Sequence, residues 1–322
     1  MMIHPANQLS RRRFLATTAT AATAAWLVPG ALFAQQSQEE PAMVIQGRID
    51  AATAKITTQK LRGNVSVLLG SGGNIAVLPG PEGKVLIDAG ISTSRPQITA
   101  ALAALSPDPV EVLINTHWHY DHTDGNEWIH SIGATIIAHQ KTRQRLSTPQ
   151  EIAAFNAHFP PAPAGALPTK TFTVNDSLKI NGKTLVLTHY DPAHTDTDIS
   201  VHFADADILH TGDTFFNGAF PFIDYSTGGH INGMIRATER NLATGTDSTI
   251  LIPGHGPVGN KTQLSDYHDM LIAIRDKVAA LKKQGKSIDE AVAAKPTASY
   301  DAKWGTGFVN GELFTRLVYQ GV

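Results

Sequence analysis

The segment His117-Trp118-His119-Tyr120-Asp121-His122 places three imidazoles and a carboxylate within six residues, directly after the apolar run Val110–Ile114. Any fold of this chain has to end a buried strand in that loop and give its side chains a common use. Neutral imidazole and carboxylate are ordinary ligands of zinc and related divalent ions. A tight loop aims alternate side chains at different points, so His117 and His119 can face one ion while Asp121 and His122 face a second. A lone His-x-His would carry little weight in a chain with 14 histidines. Three further residues extend the set, each after a strand-like run: His194 in DPAHTDTD, Asp213 in LHTGDTFF and His255 in IPGHGP. Two ions about 3.5–4 Å apart can hold a hydroxide between them and attack an ester or amide.

The coarse pattern is α/β. Strands are expected at 62–70, 74–79, 84–88, 110–115, 134–138, 199–203, 208–211 and 250–252. A hairpin is expected over 178–188, where Asn181-Gly182 is a type I′ turn signal. Helices are expected at 92–105, 125–132, 231–242 with Asn232 as cap, and 262–284, the last from the helical period of Leu264, Met270, Leu271, Ile274, Val278 and Leu281. Residues 35–55 read as a loose lead-in, and 148–168, with prolines at 149, 160, 161, 163 and 168, as a surface connection. Gly70-Ser71-Gly72-Gly73 reads as a hairpin turn. Alternating strands and helices in two halves suggest two sheets flanked by helices.

Taken together the motifs resemble those of the metallo-β-lactamase-fold hydrolase superfamily over about residues 60–260. VLIDAG (85–90) resembles its first motif, HWHYDH its second, the His194 loop its third, TGD its fourth and GHG its fifth. The resemblance implies an αββα four-layer sandwich with metals at one edge. Carried over by position, His117, His119 and His194 would hold one metal, Asp121, His122 and His255 a second, and Asp213 would bridge both. It also implies that the glycine-rich turn at 70–73 leans over the site. Asp88 would support the metal loop, or serve as a strand-ending turn residue before Gly90. Three imidazoles leave a fourth position open on the first metal, the mark of a catalytic site. Asp121 would orient the hydroxide or shuttle its proton.

The expected activity is therefore that of a binuclear hydrolase with two Zn²⁺, or Mn or Fe in their place, cleaving an ester, thioester, lactone or amide by a metal-bound hydroxide. β-Lactamases of the commonest subclasses place cysteine at the Asp213 position and lysine three residues on; here that residue is Phe216, and the chain has no cysteine. The Asp bridge is instead similar to that of glyoxalase II and lactonases. A weak β-lactamase, a one-iron oxygenase of the same fold and a non-catalytic periplasmic binder stand as alternatives. Phe215, Phe216, Phe220, Phe222 and Tyr225 fall in an aromatic, glycine-rich segment, 213–229, and are candidates for an apolar substrate wall or for core. Trp118 and Tyr120 can face the cleft or pack beneath it. His230 is structural or touches substrate; His210 and His268 read as structural and surface.

The N-terminus carries a separate message. Ser10-Arg11-Arg12-Arg13-Phe14-Leu15, a mild apolar stretch at 16–28 and Ala-Leu-Phe-Ala at 31–34 look like a twin-arginine export signal with its cleavage site. Threonines at 17, 18, 20 and 23 make the stretch too polar for a membrane span. The expected organisation is a signal at 1–34, a lead-in at 35–58, a catalytic domain at 59–262 and a helical extension at 263–322 packed on it, with the mature protein periplasmic or secreted. Lys and Arg number 26 against 28 Asp and Glu, and the signal removes three arginines and no acid. Such a surface should not attract nucleic acid. A small-molecule substrate is expected, with no membrane span in the mature chain; nothing in the sequence indicates an oligomeric state.

Overall fold

Val85 and Ile87 point to one side of their strand and Leu86 to the other, and all three are fully buried. A strand buried on both faces needs a layer on each side, and this requirement organises the molecule. The structure, a computed structural model, describes residues 40–322. The export signal expected at 1–34 lies outside the described residues.

One sheet has seven strands in the order β1 (Thr57–Lys60), β2 (Ser66–Leu69), β3 (Ile75–Leu78), β4 (Lys84–Ile87), β5 (Val110–Ile114), β6 (Thr135–His139) and β9 (Lys170–Phe172). It is antiparallel from β1 to β4 and parallel from β4 to β9. The other has five: β10 (Asn175–Ile180), β11 (Lys183–His189), β12 (Ile199–Phe203), β13 (Ile208–His210) and β14 (Ile250–Ile252), with only β13 and β14 parallel. Asn181 and Gly182 turn β10 into β11 with φ of 54° and 67°, the left-handed pair that a type I′ turn needs. Between the sheets, Val67, Ile87 and Ile114 meet Leu185, Val201 and Ile252.

The outer faces carry helices. Leu86 and Leu113 pack against Ile98 of α2 (Arg95–Leu105) and Ile129 of α4 (Asn126–Ser131). Leu209 and Leu251 pack in one cluster with Met234 of α6 (Ile231–Ala243), Ile274 of α7 (Lys261–Lys283) and Phe314 of α10 (Gly311–Gln320). The result is an αββα sandwich. Shorter helices are α3 (Tyr120–Thr123), α5 (Gln140–Leu146), α8 (Ile288–Ala293) and α9 (Asp301–Trp304). No helix among the described residues is long and apolar enough to cross a membrane.

Three segments differ from the sequence reading. The loose lead-in contains α1 (Ala42–Ala52), docked by Arg48 on Asp124, with Nε 3.2 Å from Oδ2. The proline-rich connection folds into a two-stranded hairpin of β7 (Gln150–Ile152) and β8 (Ala157–Phe159), which buries Ile152, Ala157 and Phe159. At α6 the side chain that accepts the cap hydrogen bond is His230, from the Asn232 amide at 3.0 Å, and not Asn232. Aspartate and asparagine lead cap preferences, but Asn232 already lies inside the helix.

Candidate metal centre

β4, β5, β13 and β14 all end at one edge of the sandwich, where Asp88, the His117–His122 loop, Asp213 and His255 follow them. The β11–β12 connection brings His194 to the same edge. Two backbone hydrogen bonds join the halves there, Ile199 N–H to the Thr116 carbonyl at 2.9 Å and Asn74 N–H to the Gly254 carbonyl at 2.8 Å, and the Asn74 side-chain amide adds bonds to the Pro253 and Gly256 carbonyls, each at 2.9 Å. The candidate ligand atoms form three overlapping groups, each within 4.8 Å: His117, His119 and His194; His117, His122 and Asp213; Asp121, His122 and His255.

The outward nitrogen of four imidazoles is committed, which decides what the inward one can do. His194 Nδ1–H donates to the Phe222 carbonyl at 2.8 Å, so Nε2 carries the lone pair. His122 Nδ1–H donates to Asp88 Oδ2 at 2.7 Å. Asp88 also accepts the Thr116 N–H and O–H, each at 2.7 Å. With its hydroxyl proton on Asp88, Thr116 accepts from His117 Nδ1–H at 3.0 Å. His119 is reversed: its Nε2 lies 3.0 Å from Asp224 Oδ2, leaving Nδ1 inward. Asp88 has φ of 67°, so the turn and the support proposed for it in the alternative are one conformation.

With neutral rings, the inward atoms of these four imidazoles and of the carboxylates are acceptors, and they crowd. His119 Nδ1 and His194 Nε2 are 2.8 Å apart. His122 Nε2 is 3.1 Å from Asp213 Oδ1 and 3.3 Å from His255 Nε2. His255 Nε2 is 3.2 Å from Asp121 Oδ2 and 3.4 Å from Asp213 Oδ2. His117 Nε2 and Asp213 Oδ1 are buried with no hydrogen-bond partner. A buried acceptor left alone costs about 1–3 kcal/mol, and facing lone pairs repel. Cations between these atoms relieve both, so the residues fit a metal group. Two glycines permit the crowding. A Cβ on Gly73 would stand 2.1 Å from His122 Cε1, and one on Gly254 1.9 Å from Asp213 Oδ1. The 70–73 turn thus leans directly on the site.

Electrostatics separate the imidazoles. Burial holds His117 well below its ordinary range and His194 at about 4, so both are neutral and able to ligate. Burial opposes charge on His255 too, but Asp213 and Asp121 raise it to about 10, and the same carboxylates raise His122. In the metal-free protein, protons on these two rings take the place of cations.

A cavity of about 520 Å³ opens onto His119, Asp121, His194, Asp213 and His255, within the range of about 300–1,000 Å³ usual for small-molecule sites. Phe216, Phe220 and Phe222 line it, and the Phe216 ring stacks on His255 with centroids 5.1 Å apart. Tyr120 lines it as well. Four other candidates do not. Phe215 turns to the Tyr267 ring at 5.2 Å and is core. Trp118 packs beneath the loop against Phe159, its indole N–H on Thr227 Oγ1 at 3.2 Å. Tyr225 and His230 face each other, centroids 6.0 Å apart, outside the lining. The cavity also has walls the sequence did not suggest: Met43 and Asp50 of α1, Ile152 and Phe155 of the hairpin region, and Phe308 and Val309. Asp224 was likewise missed; it sits in the aromatic segment with no pattern around it to single it out.

Comparison with known proteins places this geometry. A profile described as "Metallo-beta-lactamase superfamily" matches residues 69–265. A hydroxyacylglutathione hydrolase of Polaromonas sp. is 29% identical over 170 residues, covering 52% of this chain and 56% of that protein, so the chain spans about half that relative's length. A probable metallo-hydrolase of Methanocaldococcus jannaschii is 28% identical, covering 56% of this chain and 86% of that one. Among solved structures, a metallo-β-lactamase from Pontibacter korlensis superposes with a TM-score of 0.55 at 21% identity, over 67% of this chain and 98% of that one. The inverting sec-alkylsulfatase Pisa1 from Pseudomonas sp. gives 0.62 at 15% identity, over 88% and 53%. At such identities the structural likeness speaks for the fold.

Proposed function

The chain belongs to the metallo-β-lactamase superfamily, and on that footing we propose that it is an exported, binuclear zinc hydrolase of a small molecule with an ester, thioester, lactone or amide bond. One observation carries the reading: seven side chains converge with imidazole nitrogens and carboxylate oxygens inward, in three overlapping groups whose ligand atoms each lie within 4.8 Å of one another. His117, His119 and His194 would hold one ion and Asp121, His122 and His255 the other, with Asp213 between the groups. The second set favours two metals over a one-iron oxygenase.

Two bound divalent ions supply Lewis acidity that brings the pKa of water toward about 7. The chain's own residues do the rest. Asp213 Oδ1 faces His122 and Oδ2 faces His194 and His255, at 3.4 Å from each, so one carboxylate serves both sides. Thr116, Asp88, Asp224 and the Phe222 carbonyl fix the tautomers in advance. Hydrolysis joins the water oxygen to the carbonyl carbon, breaks the bond to the leaving atom and delivers a proton to that atom. Asp121 borders the cavity and is the more exposed carboxylate, 21% against 4% for Asp213. We assign it to orient the water and hold its proton. Hydrolase names among the relatives support this reaction class.

The test is metal analysis of the loaded protein with a screen of generic esters, thioesters, lactones and amides. Two zinc ions per chain and turnover of one class are expected. At most one ion per chain would end the binuclear reading, and loaded protein without turnover would leave a binder.

A further inference from the structure

The cavity above the site is apolar well past its floor, and among the described residues the one side-chain charge in its lining away from the metal groups is negative. Phe155 lies between Phe222 and Phe308, at centroid distances of 4.8 and 5.0 Å, so one aromatic wall runs from beside His194 to the surface. Met43 and Ile152 complete it, and Phe308 is 66% exposed at its outer end. No lysine or arginine lines it among the described residues. Arg48 of α1 is held on Asp124, and Arg145 on Asp196, with Nη2 2.9 Å from Oδ2. The remaining charged side chain in the lining is Asp50, exposed on α1.

An anionic group on a substrate would therefore leave water for a phenylalanine-lined wall with no cationic side chain to receive it and a carboxylate nearby, the Gln46 amide being already engaged with Asp50. Burying a charge without a partner is unfavourable. A methylene chain in the same place gains from every apolar contact. We propose that the substrate is an uncharged ester or lactone whose apolar acyl chain lies along the Phe222–Phe155–Phe308 wall. The proposal rests on the hydrolase reading for its chemistry and on the cavity for its selectivity.

A matched pair of probes separates the two. p-Nitrophenyl octanoate and the mono-p-nitrophenyl ester of octanedioic acid share a reacting bond and a chain length and differ in a terminal carboxylate. The zinc-loaded protein should favour the neutral ester in kcat/KM by about tenfold or more, the size of one missing charged hydrogen bond. Equal rates, or a preference for the acid, would overturn the proposal and leave the hydrolase intact. Binding is a second readout: calorimetry of octanohydroxamic acid against its ω-carboxylate analogue should show the same preference. Absence of turnover with that binding preference retained would sink the hydrolase reading and uphold the cavity's selectivity. Absence of preference in binding would sink the latter. Asp50→Lys, on an exposed helical position, should narrow the preference several-fold at low salt; an unchanged ratio would remove Asp50 from the account.

Discussion

Asp224 Oδ2 lies 3.0 Å from His119 Nε2, and this contact decides which nitrogen of His119 faces the metal site. His117, His122 and His194 all present Nε2; His119 alone presents Nδ1, because its other nitrogen is taken. Asp224 is oriented in turn by the Thr227 hydroxyl at 2.6 Å, and Thr227 by the Trp118 indole. Outer partners of this kind are typically worth about 10–100-fold in metal affinity. Asp224→Ala should weaken zinc binding by about that factor at the His117–His119–His194 group, read by competition with a chelator. Asp224→Asn keeps the shape and guards against simple misfolding. Parental affinity in both variants would show that the tautomer needs no such lock.

Asp213 and His255 should fail differently. Removal of Asp213 takes an oxygen from both groups, whereas removal of His255 takes a ligand only from the Asp121–His122 side. Asp213→Ala should lose affinity for two ions and most activity; His255→Ala should keep one ion at near-parental affinity. Metal stoichiometry and affinity of both variants beside the parent decide it. Two ions held with unchanged affinity by Asp213→Ala would mean that Asp213 is no bridge.

Stability of the metal-free and loaded forms should respond oppositely to pH. Burial opposes charge on His255, yet Asp213 and Asp121 raise it from 6.5 to about 10. A raised pKa contributes stability that is full below 6.5 and is lost as pH climbs through about 10. Partial burial opposes charge on Asp121, yet His122 and His255 draw it from 3.8 to about 2; its contribution is full above 3.8 and fades only as pH falls through about 2. The metal-free protein should thus lose thermal stability from pH 6.5 upward. Zinc has to displace the protons on His122 and His255, so its affinity, and the stabilisation it confers, should grow over that same window. Thermal melts of chelated and zinc-loaded protein between pH 5 and 9 check this; a chelated form that gains stability above pH 6.5 contradicts it.

Export is a separate proposal, carried by Arg11, Arg12 and their neighbours. Changing both arginines to lysine should hold the precursor in the cytoplasm, measured by fractionation against the parent. Normal export of that variant would refute the twin-arginine assignment.

What the sequence determined by itself was local. The His117–His122 spacing, the strand before it and the Asn181-Gly182 turn are all set within about ten residues, where periodicity and turn chemistry act directly. The motif resemblance extended this to an αββα fold whose family and architecture the comparisons bear out. Tertiary structure decided which faces met. Phe215 and Phe216 are neighbours of the same kind in extended backbone, so they point opposite ways; one is core against Tyr267 and the other stacks on His255. Asp224 reaches His119 across 105 positions. Met43, Phe155 and Phe308 join one cavity wall from three remote segments. Such contacts follow from how layers pack, and no short window of residues encodes them.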